Sequence, residues 1–154
     1  MTPSSLSRRT LVMAGAGLCT TPLLVACAAR PQLAKPVSVG ALFAGRVDDK
    51  GFMESGWRGL ERARTELGAQ TTFIDRIEPK KELLVAALTQ LAQSGVALVV
   101  AHGGQNNEAC AEVAARFPAV KFVVTQGAVT APNLASYDVL QEESAYLAGV
   151  LAAL

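Results

Sequence analysis

The sequence predicts an α/β fold with a mostly parallel sheet and helices on both of its faces. Three observations carry this. Short apolar runs alternate with longer segments whose apolar residues recur every three or four positions, so strands and helices take turns along the chain. The run Val96-Ala97-Leu98-Val99-Val100-Ala101 has no polar alternation, the pattern of a strand covered on both faces in a parallel sheet. Polar, glycine-containing stretches follow the apolar runs at Ala44, His102 and Gln126, and parallel strands bring such loops to one edge of the sheet.

Val37 to Phe43 reads as the first strand, broken by the loop from Ala44 to Gly51. A helix starts at Phe52, with Phe52, Gly56, Leu60, Ala63 and Leu67 on one face, Trp57 beside them as a packing residue and Gly68 as C-cap. Gln70 to Ile74 is β-prone, and the polar break from Asp75 to Lys81 contains Pro79. Leu83, Leu84, Ala87, Leu88 and Leu91 keep helical spacing until Ser94-Gly95 stops them. Val96 to Ala101 is the central strand, and His102 to Asn107 the loop at its carboxyl end. The next helix carries Ala109, Val113, Ala114 and Phe117 on one face and ends at Pro118. Val120 to Thr125 forms a fourth strand, Leu134 to Tyr137 a short fifth. Residues 141–154 read as a helix with Tyr146, Leu147, Val150, Leu151 and Leu154 as its apolar side. The loops at 45–51, 102–107, 126–130 and around Asp138 are expected to outline half of a cleft.

Residues 1–26 have the parts of an export signal and are set aside from the fold. Arg8-Arg9 precede an uncharged, mostly apolar run from Leu11 to Ala26, which resembles a twin-arginine signal, with general secretion as the alternative. That run is 16 residues, short of the roughly 20 a helix needs to span a bilayer. Leu24-Val25-Ala26-Cys27 looks like the lipobox of bacterial lipoproteins, in which the cysteine thiol accepts the lipid. Acylated Cys27 would hold the protein at a membrane surface, on the periplasmic or exterior side of the cell envelope, with residues 27–36 as a tether.

The chain has 14 basic and 13 acidic side chains, and loss of Arg8 and Arg9 leaves 12 against 13, so nothing indicates a nucleic-acid partner. Cys19 leaves with the signal and Cys27 takes lipid, so Cys110 is the remaining thiol and no internal disulfide is expected. His102 is the sole histidine, with no companion ligands, and neither a metal nor a cofactor is expected. At the end of a strand it reads first as a loop residue, with ligand contact as the alternative. There is no Gly-x-Ser-x-Gly, and no P-loop lysine follows Gly103-Gly104, so the chain is read as a binding protein and not an enzyme.

Val47-Asp48-Asp49-Lys50-Gly51-Phe52, Trp57-Arg58-Gly59-Leu60, Lys121-Phe122, Pro132 to Ser136 and Glu142 to Leu151 resemble the basic membrane protein family, in this order and over residues 37–154. These are PnrA-like lipoproteins, the substrate-binding components of ABC importers. The resemblance implies the first lobe of a type I periplasmic binding protein fold, with an ABC permease and a small, nucleoside-like ligand as partners. The second lobe and the segment that completes the first are expected to be absent from this chain, which leaves a lone lobe without transport function as the alternative. Apolar surface meant for the closing segment would then be exposed. In the family a phenylalanine after an aspartate-rich loop stacks on the base, and Phe52 stands at that position, although from the residues alone it fits the packing stripe. Asp49 is implied in ordering the loop or binding ligand. Met53 replaces the family's base-reading asparagine, and Gln126 stands where an aspartate is common. A thioether is a weak acceptor, whereas an amide still donates and accepts.

Overall fold

The computed structural model describes residues 35–153. The export signal, Cys27 and most of the tether lie outside the described residues, as does Leu154.

Strands β1 (Ser38–Phe43), β2 (Gln70–Ile74), β3 (Leu98–His102), β4 (Lys121–Thr125) and β5 (Leu134–Tyr137) form one sheet in the order β2-β1-β3-β4-β5. Every neighbouring pair is parallel. The helices are α1 (Phe52–Leu67), α2 (Lys81–Gln93), α3 (Asn107–Arg116), preceded by a 3-10 turn at Gly104–Asn106, and α4 (Gln141–Ala152). The chain steps from β1 to β2 in one direction and from β2 through β3 to β4 in the other. Right-handed crossovers therefore put α1 on one face and α2 and α3 on the opposite face.

Alternation along the strands divides the core accordingly. Leu42, Val99, Ala101, Phe122 and Val124 point toward α2 and α3, where Leu84, Leu88, Leu91, Cys110 and Val113 meet them. Val39, Ala41 and Phe43 point the other way and meet Leu60 of α1, with Trp57 packed beside them as the spacing predicts. The strands of the middle are thus apolar on both sides, which is why β3 reads as an unbroken apolar run.

Two elements depart from the sequence reading. The third strand begins at Leu98, two residues later than expected, and continues through His102. His102 lies in register with Phe43 on one side and Thr125 on the other, so it is a buried strand residue and not a loop residue. Helix α4 forms, but none of its residues is buried. The apolar side expected to face the core stands off the sheet, because the face of β3 to β5 on the α1 side is left open.

Candidate functional site

The strand order reverses between β1 and β3, and in open parallel sheets ligands bind beyond the carboxyl ends of the strands at such a point. The loop from β1 to α1 stands there, held mainly by Asp49. Its Oδ1 accepts from the backbone N–H of Gly51 at 2.8 Å and of Glu54 at 3.1 Å, and its Oδ2 from that of Met53 at 3.1 Å. Gly51 is the N-cap position of α1, and Met53 and Glu54 belong to its first turn, whose N–H groups have no partner within the helix. They hold the Asp49 carboxyl below its ordinary value, led by the bond from Glu54. Nearby, the Arg46 guanidinium grips Asp48 through two hydrogen bonds of 2.8 and 2.7 Å and lowers its pKa to about 2.

Capping by Asp49 fixes where α1 begins, and α1 begins with Phe52. Phe52 is 39% exposed, and its ring stacks on His102 with centroids 4.0 Å apart and planes 20° from parallel. His102 Nε2 lies 2.9 Å from the Phe52 carbonyl oxygen and Nδ1 lies 2.8 Å from Thr125 Oγ1. A carbonyl only accepts, so Nε2 carries the proton. Nδ1 then accepts from the Thr125 hydroxyl, whose oxygen in turn accepts from the Gly103 N–H at 3.1 Å. In its neutral form the imidazole is held in this one tautomer, and burial favours that form by pushing its pKa below the ordinary value, against the opposing pull of the Phe52 carbonyl and Asp49. Phe43 meets the imidazole edge-on at 5.6 Å. Gly56 supplies the remaining room, because a Cβ there would sit 2.7 Å from the ring.

A groove of about 680 Å³ runs from this point down the open face of the sheet. Phe52, His102, Thr125, Gln126 and Tyr137 line its upper end, and Leu98 and Val37 its lower end. Gln126 follows β4 in a left-handed conformation, φ 54°, with its N–H on the Tyr137 carbonyl at 2.5 Å. Of the five residues singled out for ligand contact, the fold therefore brings Phe52, His102 and Gln126 together. Asp49 and Met53 are not among the residues lining the groove. Met53 packs with Val47 and Trp57 in the small core beneath α1, which suits its thioether.

Thr125 and Gly56 carry the arrangement and were not singled out from the sequence as site residues. Thr125 has no motif to announce it, and only the β3–β4 register puts it beside His102. Among the described residues no cluster of three or more histidine, cysteine, aspartate or glutamate side chains could hold a metal ion. Cys110 is fully buried, and burial pushes its thiol up to about 12, so it is a core residue and not a nucleophile.

Residues 36–154 match the Bmp family, described as ABC transporter substrate-binding protein PnrA-like. This chain belongs to the Bmp family. An uncharacterized lipoprotein of Pyrococcus abyssi is 36% identical over 124 residues, covering 77% of the chain and 30% of that protein. The transcriptional activator protein med of Bacillus subtilis is 24% identical over 131 residues, covering 85% of the chain and 41% of that protein. Among solved structures, an ABC transporter solute-binding protein from Aeropyrum pernix superposes with a TM-score of 0.68 at 31% identity. That match covers 77% of this chain and 32% of the other. The Bmp chain thus spans less than half the length of these relatives. The matched region corresponds to the α/β lobe described above, with the stacked Phe52–His102 pair at its rim.

Proposed function

We propose that this chain forms one wall of the ligand cleft in the substrate-binding lipoprotein of an ABC importer, and that Phe52 offers that wall to a flat, nucleoside-like ligand. The observation that supports the reading is the Phe52–His102 stack at the β1–β3 edge. One face of the Phe52 ring is supported by the imidazole, and 39% of the residue stays exposed. A ring held this way contributes roughly 1 to 3 kcal/mol of stacking to a bound base, by analogy with single-stranded nucleic-acid readers. Gln126, at the same rim, has an amide that donates and accepts toward a base or sugar edge. Asp49 serves by ordering the loop, and Met53 by packing behind it. Acylation of Cys27 holds the protein at the outer side of the membrane, where an ABC permease receives the ligand.

Binding rather than turnover fits the side chains present. Both nitrogens of His102 are engaged in holding Phe52 and Thr125, a supporting role for the ring that would stack on the ligand. A regulatory role of the kind named for the Bacillus subtilis relative finds no support in α1. Its Arg58, Arg62 and Arg64 are each paired with Glu54, Glu66 and Glu61, the pattern of a solvated helix face and not of a phosphate-binding one.

The test is a titration of residues 27–154 with adenosine, guanosine, inosine and cytidine, followed by shifts of the Phe52 and His102 ring resonances. Weak, purine-preferring binding that Phe52→Ala removes is the expected result, since one wall cannot close over the ligand. Absence of any nucleoside-dependent shift at millimolar concentration would overturn the nucleoside reading. Submicromolar affinity would instead overturn the requirement for a second wall.

A further inference from the structure

We infer that Thr125 is a specificity-determining residue of this wall. Its hydroxyl is fixed as a hydrogen-bond acceptor, so it selects a ligand that brings an amino or hydroxyl group to the carboxyl end of β4. The inference rests on the binding role proposed for the Phe52 rim and adds which ligand groups that rim reads.

A threonine hydroxyl has one proton to give and two lone pairs to receive with, and its O–H ordinarily rotates to suit the partner that arrives. Here the proton is already committed. His102 Nε2 lies 2.9 Å from the Phe52 carbonyl oxygen, which only accepts, so in the neutral ring Nε2 holds the proton and Nδ1 is a bare acceptor. The Thr125 hydroxyl, 2.8 Å from Nδ1, donates there. The Gly103 N–H is shared between Thr125 Oγ1 at 3.1 Å and the Thr125 carbonyl oxygen at 3.2 Å, so it occupies at most one lone pair of the hydroxyl. One lone pair remains for a ligand, and no proton.

Thr125 is the last residue of β4, is half-buried, and lines the upper end of the groove together with Phe52, Gln126 and Tyr137. A ligand amino or hydroxyl group brought there donates to the open lone pair. A carbonyl brought to the same place meets oxygen with no proton between them and forfeits its hydrogen bond to water. Sites built to pair with a ligand O–H or N–H reject analogues that lack it. Gln126 imposes no such choice, since its amide both donates and accepts.

The commitment depends on the charge of His102. An imidazolium donates from both nitrogens, so Nδ1–H would then point at Oγ1 and the hydroxyl proton would turn away, making Thr125 a donor. Asp49 is the charged side chain that acts on the ring. Phe43 of β1, Phe52 and Gly56 of α1 and Thr125 of β4, which meet the ring, carry no charge. Burial favours the neutral form, in which the hydroxyl accepts.

The experiment titrates the full chain with adenosine, with purine riboside, which lacks the amino group of adenosine, and with the three monodeoxyadenosines. Loss of one of these donors should weaken binding at least about tenfold. In Thr125→Val, which keeps the shape and removes the hydroxyl, the same loss should cost less than about threefold, and Thr125→Ser should restore the discrimination. The preference should also fall as pH is lowered through the range in which the His102 nitrogens titrate, which a merely structural role of Thr125 would not produce. Discrimination that is the same in wild type and Thr125→Val, or constant across that titration, would overturn the inference. Failure of every nucleoside to bind would instead sink the nucleoside reading, and imidazole nitrogen spectra of the free, unmodified chain still decide the hydroxyl's polarity. A proton on Nε2 with a hydrogen-bonded, bare Nδ1 is expected; a proton on Nδ1 would free the hydroxyl to donate and overturn the inference.

Discussion

The two faces of the sheet use the same strands and reach opposite outcomes. On one face α2 and α3 close over Leu42, Val99, Ala101, Phe122 and Val124, all 1% exposed or less. On the other, α1 covers β1 and β2 with Leu60 as its one buried residue, and β3 to β5 remain open. Val99 and Val100 are chemically identical neighbours, yet only the first is fully buried. Strand composition therefore does not decide burial; the element laid over each face does. The closed face supplies stability, and the open face carries the groove, with Phe52, His102 and Gln126 at its rim.

The comparison is sharpened most by removing volume from the closed face. Phe122→Ala should cost about 3 to 5 kcal/mol in urea unfolding, because Phe122 is 1% exposed and its neighbours cannot collapse into the space. The next largest effect is expected at the junction between the faces. Gly56→Ala puts a methyl group 2.7 Å from the His102 ring and should destabilise by about 1 to 3 kcal/mol. It should also change the imidazole nitrogen shifts that report the Nε2–H tautomer, which a merely local helix effect would leave alone.

A smaller effect is expected from Val100→Ala, about 1 kcal/mol or less, if β3 is as open in solution as it stands beside α1. A cost equal to that of Val99→Ala would break the comparison. The smallest expected effect is the pH dependence through His102. Burial sets its folded pKa below the ordinary value of 6.5, so the folded state prefers the neutral imidazole. Its contribution is complete above that value and is lost as pH falls through 6.5 toward the folded pKa, since the unfolded chain then binds the proton more readily. Stability measured from pH 7.5 to 5 should decline on this account, and His102→Gln should flatten the decline.

Much of this was legible before any coordinates. Each strand and helix is placed within about two residues by periodicity, as boundary reading allows, and Gly68 does close α1 in a left-handed conformation, φ 70°. The candidate edge was legible too, because strand-to-helix loops identify the carboxyl ends of parallel strands. Within that edge, sequence reasoning treated His102 as a loop residue and overlooked Thr125. The reason is physical. A polar residue at the end of an apolar run marks a strand terminus, but whether it extends the strand depends on what neighbouring strands offer at that level. Here Phe43 and Thr125 stand opposite it and satisfy its ring.

The sequence by itself determined the α/β class, the order of the elements, the sheet edge that bears the site and the apolar character of α4. These depend on local periodicity and on the near-universal hand of crossover connections. Only the tertiary structure decided that His102 supports Phe52, that Gly56 must be bare and that one face of the sheet is closed while the other is open. Each of these rests on groups far apart in the chain, such as His102 and Phe52 at 50 positions' separation. No local pattern encodes such a meeting; strand register and helix placement create it.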